Sequence, residues 1–232
     1  VEKLQLIKRN VKRLNYLIEQ LLDVRKAESG NLTAKLNMED LILFIKEEVA
    51  HFSYAVKQKG LTLNVNSNTE KLTACFDRAM ISKVFFNIIS NAIKFTEKGK
   101  IDINIERVNK DDYEILKKEQ TASFIKVEIR DTGKGMSKEQ NEKIFERFYQ
   151  GHEQRGKGYG IGLSHTKELI DAHKGFIEAE SKVDEGTTIR FFIPDIEISG
   201  ESEKINTGST EDMYIDAEPV ISQDTIQVKE SL

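Results

Sequence analysis

Residues 87–96 read NIISNAIKFT and close a stretch from 77 to 95 whose apolar side chains recur at helical spacing. Asn87 and Asn91 stand four apart, so a helix sets both side-chain amides on one face, a turn from each other. Amide oxygens are hard ligands that suit Mg²⁺, whose remaining positions are usually filled by phosphate oxygens and water. Lys94, three residues on, brings a cation to the same rim. The same spacing also describes a solvated helix face, so the pair needs other elements beside it before it marks a site.

Two further segments supply them. IRDTGKGM at 129–136 sets Asp131 at the end of an apolar strand, just before Gly133 and Gly135. With glycines letting the backbone turn sharply, a carboxylate there can accept from an exocyclic amine such as that of adenine. An ordinary Asp-Thr-Gly turn is the alternative. GKGYGIGLSHTKELIDAH at 156–173 has Gly156, Gly158, Gly160 and Gly162 preceding or opening an amphipathic helix. Such a run frees backbone N–H groups for an anion, and the helix dipole adds to the attraction, so a triphosphate fits there. The run neither follows a strand nor ends in Gly-Lys-Ser/Thr, which sets it apart from Rossmann and P-loop glycine motifs.

The 232 residues suffice for one good-sized domain plus extensions, without disulfide or metal staples. Cys75 is the only cysteine, which excludes an intramolecular disulfide and suits a reducing compartment. Set in the apolar LTACF with no base beside it, it reads as a packing residue rather than a catalytic thiol. No run of 18 apolar residues occurs, and the opening VEKLQLIKRN is charged, unlike a leader. Its start at a valine reads as a cut from a longer chain, and any contact with a membrane is expected only through upstream segments. The formal charge of −4 is uneven: from Asp195 on, ten acids face two lysines, net −8, leaving +4 for the rest. No basic stripe with interleaved aromatics appears, so no nucleic-acid partner is indicated.

Leu4, Ile7, Val11, Leu14, Ile18 and Leu21 step by threes and fours through residues 1–28. This heptad seam needs partner helices, with Arg9, Lys12, Arg13, Glu19 and Gln20 on the outer faces. Ser29-Gly30-Asn31 ends the helix. LTAKLNM at 32–38 alternates like a short strand, and residues 38–59 return to helical spacing until Gly60 stops them. Strands are expected near 61–65, 72–76, 100–108, 123–130, 175–181 and 187–193, with helices over 77–95 and about 160–173. The polar insertion NKDDYEILKKEQTA at 109–122 reads as a surface hairpin loop. Strands and helices in these numbers, with hairpin-like strand pairs, predict an α/β (α+β) two-layer sandwich preceded by a long heptad-patterned helix. Beyond Pro194 the apolar residues are too scattered to offset backbone entropy, which predicts a flexible linker or tail, unless part of it adds an edge strand.

In this order the three segments resemble the N, G1 and G2 boxes of sensor histidine kinases, within the Bergerat-type ATPase and kinase superfamily. Joint occurrence makes the resemblance specific. IFERFYQ at 144–150 is similar to the F box that anchors the mobile lid, and DEGTTIRFFIP at 184–194 to the closing strand. QLLDVRKAESGNL at 20–32 is similar to the end of the second dimerisation helix. The resemblance implies a Bergerat-type ATP-binding fold at 31–195, part of a dimerisation and phosphotransfer domain at 1–30, and an acidic linker or tail at 196–232.

ATP and Mg²⁺ are the implied nucleotide and cofactor. The resemblance makes Asn91 the principal metal ligand, with Asn87 near metal and phosphates and Lys94 on the phosphates. It has Asp131 binding the adenine amine in a pocket shaped by Gly133, Gly135 and Thr187, with Phe95 packing on the base or in the core. Gly158, Tyr159, Gly160, Ile161, Gly162 and Leu163 would hold the phosphate end of the lid, and Phe145 and Phe148 would seat it. Many relatives carry a basic residue where this chain has Gln150, so no phosphate contact is expected from that position.

The implied activity is transfer of the γ-phosphoryl of ATP to a histidine, then to an aspartate of a response-regulator receiver domain. The implied setting is cytoplasmic, in a homodimer built through the N-terminal helix of a membrane-anchored sensor. The family's acceptor histidine lies on the first dimerisation helix, and no histidine precedes His51 here. His51, His152, His165 and His173 fall in the linking helix, the lid and the helix after the glycine run, so this chain is expected to bind ATP without phosphorylating itself. The acidic end suggests a hybrid kinase with a receiver after residue 232. Two other readings are an ATP-hydrolysing clamp of the same superfamily and a non-catalytic dimerisation scaffold. The clamps place a glutamate base where this chain has Asn87, and an amide takes no proton from water at neutral pH. The scaffold requires a decayed nucleotide site, whereas every element here is intact.

Overall fold

The computed structural model describes residues 2–149 and 160–196. The chain beyond Ile196, and the side chains of Leu4, Arg9, Lys12, Arg13 and Leu21, lie outside the described residues. Helix α1 (Glu2–Glu28) leads to β1 (Asn37–Asp40), α2 (Leu41–Ala50), α3 (Ser53–Gln58), β2 (Thr62–Ser67), β3 (Thr73–Phe76) and α4 (Arg78–Phe95). The strands β4 (Lys100–Asn109) and β5 (Ser123–Asp131) are followed by α5 (Lys138–Lys143), α6 (Gly162–Ala172), β6 (Phe176–Lys182) and β7 (Gly186–Pro194).

Five strands form one sheet in the order β2-β4-β5-β7-β6. Ile101, Ile103 and Ile105 of β4 and Ile125, Val127 and Ile129 of β5 alternate along their strands, and all six are buried in the core. They share it with Phe44 and Ile45 of α2, Phe85, Ile88 and Ile89 of α4, and Leu169 and Ile170 of α6. Phe85 links the layers, edge-on to Phe44 at 6.4 Å and to Phe191 of β7 at 5.9 Å. This is the two-layer sandwich expected from the sequence.

Asp77 fixes where the central helix begins. Its carboxylate accepts from Met80 N at 3.0 Å as the N-cap and from Lys35 N at 2.8 Å, tying α4 to the chain leaving α1. Its own N–H donates to His173 Nε2 at 3.0 Å, so Nδ1 carries the proton and donates to the Leu169 carbonyl at 2.7 Å. Burial pushes the His173 imidazole below its usual range, consistent with this neutral tautomer. His173 therefore joins the start of α4 to the end of α6.

Three local expectations are corrected, and one pairing is added. Residues 32–36 are not strand: the Lys35 N–H goes to Asp77, and pairing starts only at Asn37, opposite Phe76 of β3. The helix expected over 38–59 starts at Leu41, where Asp40 caps it, and breaks at His51–Phe52 because Phe52 turns into the core. The strands expected near 61–65 and 72–76 are β2 and β3; β3 joins β1 in a separate ribbon, and β2 runs parallel to β4, a pairing that a period-two pattern cannot reveal. The insertion at 109–122 is more than a surface loop. Leu116 is fully buried there and packs in a second apolar cluster with Val108, Phe124 and Phe192, with Tyr113 and Phe176 against them. Leu116→Ala should cost roughly 2–4 kcal/mol in a urea melt; a change below about 0.5 kcal/mol, typical of an exposed site, would show that this cluster carries no stability.

Candidate nucleotide site

Asn87 lies midway along α4 and is buried. Its Nδ2 donates to the Gly162 carbonyl at 3.1 Å and to Thr166 Oγ1 at 3.3 Å, fastening the opening turn of α6 to α4. The Thr166 hydroxyl donates to the same carbonyl at 2.9 Å. A Cβ on Gly162 would stand 3.4 Å from Asn87 Oδ1, an ordinary van der Waals contact. Ile161, which precedes α6, offers no side-chain cap, and the first turn holds no acidic residue. The positive end of the helix dipole is thus unopposed by carboxylates of its own helix. Asn91 is half-buried one turn beyond Asn87, and Lys94 is exposed, its ammonium 4.7 Å from the Phe95 ring centre.

The far end of α4 meets the glycine turn after β5. The Phe95 carbonyl accepts from Lys134 N at 3.3 Å, and a Cβ at Gly133 would come within 2.6 Å of that oxygen, so only glycine fits. Asp131 is buried, and its Oδ1 accepts from Gly133 N at 2.8 Å. Burial pushes this carboxyl above its usual range, opposed by the backbone N–H groups of Gly133 and Thr187. Thr187 lies directly across the β5–β7 ladder from Asp131, and its hydroxyl pairs with Ser181 Oγ at 2.9 Å. Gly135, at φ 62°, lies where a Cβ would fall 1.8 Å from the Lys182 carbonyl, so it locks the turn onto the β6–β7 connection.

A third element completes the arrangement. Ser137 and Gln140 form a reciprocal capping box that starts α5, a helix absent from the sequence expectations although the Ser-x-x-Gln signature was legible. After it, Phe145 packs on the core, whereas the Phe148 ring is 67% exposed. Phe148 N donates to the Gly160 carbonyl at 2.8 Å, and a Cβ on Gly160 would come within 2.6 Å of the Phe148 carbonyl carbon. Ile161 and Leu163 are half-buried beside it. Gln150, His152, Gly156, Gly158 and Tyr159 lie outside the described residues. Sequence reasoning also missed Thr166, Arg147 and Asp23. Arg147 Nη2 meets Glu168 of α6 at 2.5 Å, and its guanidinium also pairs with Glu28 of α1.

One helix therefore joins two groups of expected site residues, Asn87 with Gly162 and Phe95 with Asp131 and Gly133, while Gly160 meets the F-box segment at Phe148. Asn91 and Lys94 lie between the two junctions on α4. Among the described histidines, His165 is fully buried against Asp23, and His51 is exposed on the linking segment. Cys75 is buried, and desolvation raises its thiol pKa, in keeping with a packing role.

Residues 76–197 match the family described as histidine kinase-, DNA gyrase B-, and HSP90-like ATPase. The chain belongs to this family. Histidine kinase P4 of Formosa agariphila is 30% identical over 240 residues, a match that covers 97% of this chain and 17% of that protein. The chain thus spans about a sixth of that relative. The Acinetobacter baumannii histidine kinase AdeS shares the fold with a TM-score of 0.66 over 84% of each chain at 21% identity. So does the histidine kinase ThkA, solved in complex with response regulator protein TrrA, with a TM-score of 0.61 at 24% identity over 82% of this chain and 50% of that one. The chain carries the catalytic ATP-binding domain of histidine kinases in a Bergerat-type fold. No described helix is long and apolar enough to cross a membrane.

The raised carboxyl of Asp131 has a measurable sign. Because its folded pKa lies above the ordinary 3.8, the group favours folding when protonated and opposes it increasingly as the pH rises past 3.8. Asp131→Asn should therefore be more stable than the parent chain at pH 7, with the advantage shrinking as the pH falls toward 3.8 in urea melts. An advantage independent of pH would show that the burial of this charge is not its source.

Proposed function

We propose that the chain is the nucleotide-binding half of a sensor histidine kinase, binding ATP with Mg²⁺ and presenting its γ-phosphoryl to a histidine carried elsewhere in the protein. The observation that carries this reading is the junction of the Asn87 amide with Gly162 at 3.1 Å, which sets the amide-bearing face of α4 beside the uncapped start of α6. The donor set fits the group: an amide oxygen at Asn91, a second at Asn87, a cation at Lys94 and N–H groups at a helix start are what a metal–triphosphate complex requires. In this reading Asn91 holds the metal, Asn87 stands beside it, and Lys94 with the start of α6 neutralises phosphate charge. Asp131 accepts from the adenine amine, with Gly133, Gly135 and Thr187 shaping that end. Phe95 lines the same end, under the Lys94 and Lys134 ammonium groups. Gly158 through Leu163 act as the phosphate end of a lid seated on Phe145 and Phe148. A bound Mg²⁺ supplies charge neutralisation, and the protein's share is positioning, as in phosphoryl transfer generally.

We divide the chain at residues 1–30, 31–195 and 196–232 into part of a dimerisation domain, the catalytic domain and an acidic linker. Ile7, Val11, Leu14 and Ile18 of α1 are all exposed, which supports a homodimer built on that seam. A receiver domain is the proposed phosphoryl acceptor downstream, supported by the ThkA–TrrA pairing, and the cytoplasm is the proposed setting. Hydrolysis by a clamp mechanism is disfavoured because Asn87 is an amide whose nitrogen is already committed to Gly162 and Thr166, leaving no base for water at that position.

Titration of a fluorescent ADP analogue with and without Mg²⁺ tests the assignment. Asn91→Ala should weaken Mg²⁺-dependent binding by about tenfold or more, the equivalent of at least about 1.4 kcal/mol. Gln150→Ala should stay within about twofold. Equal losses from both substitutions would contradict the site.

A further inference from the structure

Gln20 was expected on the solvated outer face of α1, yet it is only 3% exposed. Its Nε2 points at Asn87 Oδ1 from 3.4 Å. One turn on, Asp23 Oδ2 accepts from Lys83 Nζ of α4 at 2.7 Å and pairs with His165 Nε2 of α6 at 3.2 Å. Val24 is buried beside them. Glu28, at the end of α1, pairs with Arg147 of the F-box segment, which also holds Glu168 of α6. The last turns of α1 thus contact α4, α6 and the F-box segment, but not the Asp131 turn, and they do so with a face distinct from the exposed apolar seam.

We propose that this face is a lock on the nucleotide site, in which Gln20 engages the same Asn87 oxygen that a metal–nucleotide complex uses, so that docking of α1 and binding of Mg²⁺–nucleotide oppose one another. The inference rests on the function proposed above. Two features make the contact displaceable. The Gln20–Asn87 bond is at the long limit for a hydrogen bond, and an N–H donor repels a cation brought to the same oxygen. His165 is buried completely with its Nδ1 lacking a hydrogen-bond partner, so the polar cluster beneath α1 is incompletely satisfied. By reciprocity, whatever nucleotide does to α1, movement of α1 must do to nucleotide affinity. A signal that repositions this helix would then act on Asn87 along with the α6 and F-box contacts it makes.

Calorimetric titration of the whole chain with ADP, in Mg²⁺ and in EDTA, tests this. Gln20→Ala should bind Mg²⁺–ADP about fivefold more tightly than the parent chain, the worth of one modest hydrogen bond, and bind ADP in EDTA unchanged. Amide exchange in the parent chain should speed up over residues 18–28 when Mg²⁺–ADP is added, a readout that stands even if the variant fails to fold. Equal affinities for the two proteins, the same gain in EDTA, or slower exchange in α1 would overturn the lock. Absence of nucleotide binding in both proteins would instead overturn the nucleotide site itself, and the lock with it.

Discussion

The structure depends on α4 being gripped at two points. Near its middle the Asn87 amide holds the Gly162 carbonyl, and at its end the Phe95 carbonyl receives Lys134 N while Gly133 presses against it. Eight residues of helix separate these grips, about 12 Å along the axis. Asn87 and the start of α6, assigned to phosphate, lie at the first grip, and Asp131, Gly133 and Phe95, assigned to the base, lie at the second. The sheet contributes rigidity to this arrangement: Asp131 is the last residue of a central strand, and Thr187 is its ladder partner.

Glycine serves the same end by allowing backbones to approach. At Gly133, Gly135 and Gly160 a side chain would fall within 2.6 Å of a neighbouring backbone atom, so these positions fix contacts between chain segments as well as turn geometry. In a nucleotide site built from separate loops, such close approaches convert short local turns into one surface. The price of this design is a buried carboxylate at Asp131, whose charged form is disfavoured by its surroundings until a partner accompanies it.

Much of this was legible from residue pattern. The span of α4, the strands at 100–109 and 123–131, and the start of α6 at Gly162 follow from periodicity and glycine placement, within the usual uncertainty at element ends. Other features depend on contacts that periodicity does not encode. The parallel pairing of β2 with β4 requires a long-range choice of partner, and the burial of Leu116 depends on the outer face of the sheet having Phe124 and Phe192 to offer. At the site, the positions of Asn87 and Asp131 followed from motif and spacing, but the use of the Asn87 nitrogen to hold Gly162 did not, because a hydrogen bond across 75 residues leaves no local signature. Gln20 was misplaced for the same reason: in a heptad helix its position reads as outer face, and only the second docking face of α1 explains its burial.

Convergence of the α4 amides and the start of α6 on one bound metal is read directly by paramagnetic broadening. With Mn²⁺–ADP added to ¹⁵N-labelled chain, the side-chain amides of Asn87 and Asn91 and the backbone amide of Gly162 should broaden together, while Asn64 and Asn66 on the edge strand β2 keep their signals. Broadening centred on β2, or unaffected amides at Asn87 and Asn91 with nucleotide bound, would contradict it.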